Sequence, residues 1–194
     1  MSVAEDYMER LGAWSDIRGH LEFMYKTVIG YRRPRVIELG VRTGVSTCAL
    51  LAGAIEVQGK LWSVDVDEPR VPESWLAEPD WTFIRGDDLT GPVIDALPRR
   101  CQVLFVDTLH DFDHVLAELA VYMPRLTRDG VALVHDTEWD VGDRQLEGPT
   151  GPVARALDDY CARHELTWGN RPGSYGMGVI RPGIYPAGQT RPWG

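Results

Sequence analysis

Lysine is nearly missing from this chain: Lys26 and Lys60 are the only ones, and arginine supplies the rest of the 20 basic side chains. Against 29 acidic residues the net charge is −9. Such a balance argues against a partner whose phosphate backbone must be neutralised, so no nucleic-acid partner is expected. Cysteine is scarce too. Cys48, Cys101 and Cys161 are odd in number and without C-x-x-C spacing, which excludes a disulfide framework and a cysteine zinc site. Cys48 and Cys101 fall in apolar segments and read as buried free thiols. No apolar run approaches the ~18 residues of a membrane span, so no membrane partner is expected. The first residues, MSVAEDYMER, carry neither a basic start nor an apolar targeting segment, and the reading is a cytoplasmic protein.

The 194 residues are enough for one sizeable core, and 44% hydrophobic with 25% charged residues is ordinary for a globular chain. There is no internal repeat, and a single domain over residues 1–194 is expected. It divides into N-terminal helices over 1–33, a core over 34–182 and a tail over 183–194.

The stretch RVIELGVRTGVST, residues 35–47, organises the rest. Val36, Ile37 and Leu39 make a short apolar strand with Glu38 near its end. Gly40, Gly44 and Ser46 follow, and CALLAGAI reads as an amphipathic helix. A strand passing through a glycine turn into a helix start lets a ligand approach the backbone, with free N–H groups aimed at it. A dinucleotide fingerprint places a glycine in the middle of the turn, but Arg42 stands there. Glu38 repels phosphate and suits an ammonium or a sulfonium.

This stretch resembles motif I of the class I S-adenosylmethionine-dependent methyltransferases in its E-L-G-x-x-x-G-x-S-T form. It is similar to small bacterial O-methyltransferase-like members, the branch of the macrocin, cephalosporin-hydroxylase and catechol enzymes. The resemblance implies an α/β Rossmann-like fold, with helices on both faces of a seven-stranded, mostly parallel sheet and an antiparallel C-terminal hairpin. It also implies S-adenosylmethionine as cofactor, with Glu38, Gly40, Gly44 and Ser46 at its methionine end.

Further along, LWSV ends in Asp65, spaced after the glycine turn to meet a ribose hydroxyl pair. Asp67 is a weaker alternative. Residues 68–80 read as a proline-rich loop with one helical turn around Trp75. WTFI leads to Gly86, Asp87 and Asp88. The resemblance implies that an acid here meets the adenine amino group, Asp87 before Asp88, while either acid could instead cap the helix near Pro92.

Val103 to Val106 is an unbroken apolar run, as in a strand buried on both faces. It ends in Asp107, with His110 three residues on and Asp111 starting a helix through Met123. That helix is expected to turn Val115, Leu116, Leu119, Ala120 and Met123 inward and to carry His114 near its start. Val131 to Val134 is a second such strand, ending in His135, Asp136, Thr137 and Glu138. Carboxyl ends of parallel strands face the ligand crevice, which puts Asp107 and His110 beside the transferred methyl group.

The pair VDTLH and LVHDT resembles the strand ends of metal-assisted O-methyltransferases. This implies a divalent cation on Asp107 and Asp136, with His135, Thr137 or Glu138 as third ligand. Oxygen-rich sites suit Mg²⁺ or Mn²⁺, and a histidine favours a softer ion. Alternatively, the two acids orient histidines and bind no ion. His110 is the first choice of general base and His135 the second, with Asp107 among the catalytic and cofactor-side residues.

Before the motif, apolar residues from Tyr7 to Val28 follow helical spacing in two helices, with Ser15 as cap of the second and Gly30 as its stop. They could form a lid, the face of a homo-oligomer, or plain packing. After it, residues 139–151 read as an irregular mobile loop over the site. A helix capped by Thr150, with Pro152 in its first turn, then leads to two strands joined at Asn170–Ser174. The function expected is methyl transfer to a hydroxyl of a small-molecule acceptor. A cofactor-binding module without catalysis and an N-methyltransferase are the alternatives.

Overall fold

The computed structural model describes residues 2–140 and 144–183. Five parallel strands come first: β1 (Arg35–Leu39), β2 (Lys60–Asp65), β3 (Trp81–Arg85), β4 (Cys101–Val106) and β5 (Leu126–His135). A two-residue pair follows, β6 (Trp139–Asp140) and β7 (Arg144–Gln145), then β8 (Trp168–Arg171) and β9 (Met177–Ile180). The main sheet runs β3-β2-β1-β4-β5-β9-β8, with seven strands. β9 lies antiparallel to β5 and to β8. The expected seven-stranded sheet with its antiparallel C-terminal pair is present.

Side chains alternate along each strand, and here both faces are covered, so the central strands are apolar throughout. Val36, Val103, Phe105, Val131 and Leu133 pack on one side with helices α1 (Val3–Gly12), α2 (Leu21–Ile29) and α3 (Val45–Glu56). Ile37, Leu39, Leu104, Val106, Ala132 and Val134 pack on the other with α5 (Gly91–Ala96), α6 (Phe112–Tyr122) and α7 (Pro152–Arg163). The short α4 (Glu73–Leu76) is the turn expected around Trp75.

Several local expectations need correction. Helix α3 is not amphipathic: every residue from Ser46 to Ala54 is buried, because α1 and α2 cover the side turned away from the sheet. Ser15 caps nothing, since a 3-10 turn, Arg18–His20, leads into α2. Thr150 does not cap α7, whose N-cap is Gly151. On α6, Ala120 is exposed, and Glu118 takes the buried place. The stretch read as an irregular loop over 139–151 contains the β6–β7 pair. The tail beyond residue 183 lies outside the described residues. All three cysteines are free and buried.

Candidate functional site

The carboxyl ends of β1, β2, β3 and β4 surround a cavity of about 370 Å³. Gly40 forms its floor at φ +90°, and a Cβ there would fall 1.9 Å from the backbone oxygen of Asp107. Only glycine permits that approach. Gly44, also left-handed, starts α3, and no side chain caps the helix. Ser46, Asp65, Asp87, Asp88 and Asp107 all line the cavity. Its wall is therefore strongly acidic and suits a cationic ligand, whereas a pyrophosphate would be repelled.

Asp65 is set by the glycine loop. Its Oδ2 accepts the N–H groups of Val41 at 2.8 Å and Arg42 at 2.9 Å, and its Oδ1 accepts that of Asp67 at 3.0 Å. Burial works to raise its pKa, and these backbone donors outweigh that and lower it. Asp65 is thus held as an ionised carboxylate at the mouth of the glycine loop. Asp87 Oδ1 accepts the Leu89 N–H at 2.8 Å in the turn before α5. Thr90 is the N-cap of that helix, so neither acid takes the capping place.

Glu38 lies behind the lining of the cavity. It shares its side of β1 with Val36, under α3, and it is 0% exposed. Its oxygens accept the hydroxyls of Ser46 at 2.7 Å, Thr47 at 3.0 Å and Ser63 at 2.6 Å. Burial pushes its pKa up to about 7 against those hydrogen bonds. Glu38 thus fixes Ser46 and the start of α3.

At the ends of β4 and β5 two acids and two histidines converge. His110 Nε2 lies 2.7 Å from Asp136 Oδ2 and 3.6 Å from Asp107 Oδ1. The ring of His110 packs edge-on against Trp139, centroids 4.7 Å apart. Asp136 holds a left-handed φ of 62°, which turns its carboxylate back toward β4. Burial works against a proton on His110, yet Asp107 and Asp136 raise its pKa to about 9. Burial alone would raise Asp107, but His135 and His110 pull it below the ordinary carboxylate range.

His135 is buried, and its Nε2 contacts the Ser174 carbonyl at 2.8 Å. A ring nitrogen facing a carbonyl must donate, so Nε2 carries a proton. Nδ1 lies 3.1 Å from Asp136 Oδ2 and 3.5 Å from Asp107 Oδ1; burial works against a charge on the ring, yet the two carboxylates raise its pKa well above the ordinary value. A buried imidazole nitrogen converging with two carboxylates is a donor set that fits a divalent cation, which would take the place of the Nδ1 proton. Asp107, His110 and Asp136 likewise present ligand atoms within 4.8 Å of one another. Thr137 and Glu138 are used elsewhere: Thr137 Oγ1 donates to Asn170 at 2.6 Å, and Glu138 accepts from Asn170 and the Gly173 N–H. Both hold the β8–β9 hairpin.

Sequence reasoning passed over His20. Its Nε2 contacts the Gly173 carbonyl at 2.8 Å, and its ring meets that of His135 edge-on at 5.9 Å. Burial first, then the charge of His135, lowers its pKa to about 4. The segment leading to His20 walls a second cavity of about 270 Å³, formed by Trp14, Ser15, Asp16 and Ile17 with Ser46 and Asp107. The two cavities share Val41, Arg42, Ser46 and Asp107.

A Rossmann-like sheet in this strand order, with an acidic crevice at its switch point, defines the class I methyltransferase fold. The family model for a methyltransferase domain matches residues 37–137, just over half of the chain. The chain belongs to that methyltransferase family, whose members are S-adenosylmethionine-dependent enzymes. Solved structures agree in fold. The Podospora anserina methyltransferase PaMTH1, solved with S-adenosylhomocysteine bound, is 16% identical with a TM-score of 0.63, over 94% of this chain and 88% of its own. A Corynebacterium glutamicum protein is 16% identical with a TM-score of 0.65, over 95% and 91%. MycE of the mycinamycin biosynthetic pathway, solved with Mg and S-adenosylhomocysteine, is 16% identical with a TM-score of 0.64, over 98% of this chain and 56% of its own. No curated protein matches the chain. Among the described residues no helix is long and apolar enough to cross a membrane.

Proposed function

We propose that the protein transfers the methyl group of S-adenosylmethionine to a hydroxyl of a small-molecule acceptor, with help from a divalent cation. One methyltransferase domain filling residues 1–194 belongs to that reading. The observation that carries it is the meeting of Asp107, Asp136, His110 and the buried His135 Nδ1 beside the acidic cavity. In this reading Asp65 accepts the ribose hydroxyls, Asp87 faces the adenine amino group, and Gly40 and Ser46 border the methionine end. Glu38 acts through Ser46.

The acceptor enters by the second cavity, past Trp14 and Ser15, and its oxygen lies near His110. That oxygen attacks the methyl carbon in line, the carbon–sulfur bond breaks with its electron pair going to sulfur, and S-adenosylhomocysteine leaves. His110 Nε2, in its neutral form, takes the hydroxyl proton. Asp107, Asp136 and His135 Nδ1 would hold the cation, which would supply Lewis acidity that lowers the hydroxyl's pKa.

The test is transfer of labelled methyl from S-adenosylmethionine to a panel of small hydroxyl compounds, with and without chelator. Label in an ether, reduced by chelation and restored by Mg²⁺ or Mn²⁺, is the expected result. Label found only on amines would replace this reading with N-methylation. Cofactor binding without transfer to any acceptor would leave a binding module.

A further inference from the structure

A second group of ligand-type side chains lies at the opposite wall of the cavity. Asp88 sits in the turn after β3, and His114 and Glu118 are one turn apart on α6, so they share a face. Asp88 is 7% exposed and Glu118 0%. Their ligand atoms lie within 4.8 Å of one another.

His114 Nε2 is 3.7 Å from Asp88 Oδ1 and 3.6 Å from Glu118 Oε1. Both separations exceed the ~2.7–3.2 Å of a good N–H···O hydrogen bond. They are close to the ~3.3–3.6 Å between ligand atoms of a tetrahedral ion bound at ~2.0–2.2 Å. Asp88 Oδ2 and Glu118 Oε2, both buried, find no hydrogen-bond partner. Two buried acids beside a single imidazole are short of positive charge. Burial and the neighbouring Glu118 accordingly push Asp88 up to about 7.

The surroundings are built to orient ligands. Thr108 Oγ1 donates to Glu118 Oε1 at 2.6 Å, the outer contact that typically fixes a coordinating carboxylate. The Tyr122 hydroxyl donates to the Asp88 carbonyl at 2.5 Å and holds the turn against α6. We propose that Asp88, His114 and Glu118 hold a transition-metal dication of the Zn²⁺ class, separate from the Asp107–Asp136 pair. One imidazole and two carboxylates suit such an ion, with water from the cavity as fourth ligand. The ion ties the turn after β3 to α6 and leaves the methyl-transfer end untouched.

The test uses the full chain without cofactor, titrated with Co²⁺ alone and followed by the visible d–d bands of four-coordinate Co²⁺. Melting is then measured with Zn²⁺ alone. The bands and a Zn²⁺-dependent rise in Tm are expected in the unaltered protein and in Asp136→Asn. In the Asp136→Asn background, which disables the strand-end cation site, both are expected to vanish on adding His114→Ala or Glu118→Gln, with Zn²⁺ binding weakened at least ~10-fold. His114 is partly exposed, so its variant keeps the test open if Glu118→Gln does not fold. Bands that survive when His114→Ala is added to Asp136→Asn in folded protein, bands lost in folded Asp136→Asn alone, or no binding by the unaltered protein would each overturn the assignment. The last result would leave a proton shared between the two carboxyls in place of an ion.

Discussion

His110 Nε2 stands 2.7 Å from Asp136 Oδ2, closer than to Asp107 on its own segment. The residue nearest the expected methyl position is therefore tied across to the end of the next strand. His110→Ala should lower turnover by ~10²–10⁴-fold and leave affinity for S-adenosylhomocysteine unchanged. Steady-state kinetics beside calorimetry separates the two effects. Equal loss of binding and turnover would make His110 a structural residue.

Asp136→Asn removes one charge from the strand-end cluster while keeping the shape of the side chain. Turnover in the variant should fall and no longer respond to added Mg²⁺ or Mn²⁺, as read by activity against metal concentration after chelation. An unchanged metal response would place the cation elsewhere.

Gly40 tolerates no side chain. A Cβ would meet the Asp107 backbone oxygen at 1.9 Å, on a residue already at φ +90°. Gly40→Ala should cost roughly 2–5 kcal/mol, the sum of left-handed strain and overpacking, measured by denaturant unfolding. The same displacement moves Asp107, so cofactor binding should suffer with it.

Glu38 makes stability depend on pH. Burial holds its folded pKa at about 7 against the ordinary 4.5, so between these values the folded protein keeps a proton the unfolded chain has released. Stability from this group is complete below about pH 4.5 and is lost as pH rises through about 7. Glu38→Gln should flatten the Tm profile between about pH 5 and pH 8. Glu38→Ala should cost about 2–4 kcal/mol below about pH 4.5, where the hydroxyls of Ser46, Thr47 and Ser63 lose their acceptor, and less as pH rises through about 7. A profile unchanged by Glu38→Gln would contradict the buried-acid account.

Much of the fold was legible in the sequence, for a physical reason. Runs such as Val103–Val106 and Val131–Val134 are apolar on both faces only because helices cover both sides of the sheet, and Asp65, Asp107 and Asp136 mark where those strands emerge into water. The burial of Glu38 was not legible, because its direction depends on which face of β1 carries α3, and no local pattern reveals that. Glu118 was hidden for a related reason. A charged residue on the inner side of α6 is tolerated through contacts with His114 on the same helix and with Thr108 and Asp88 outside it. The contacts of His20 and His135 with the 173–174 backbone depend on how the β8–β9 hairpin folds back. Ser15 and Thr150 look like caps by composition, but the chain enters α2 through a 3-10 turn and α7 through Gly151 and Pro152.

Calorimetry with S-adenosylhomocysteine, on the unaltered protein and on Asp65→Ala, tests the reading of the cavity most directly. One molecule should bind per chain. The variant should bind ~10–100-fold more weakly, since a charge-assisted hydrogen bond contributes about 1.5–3 kcal/mol. Absence of heat in protein verified as folded, or equal affinity in the variant, would contradict it.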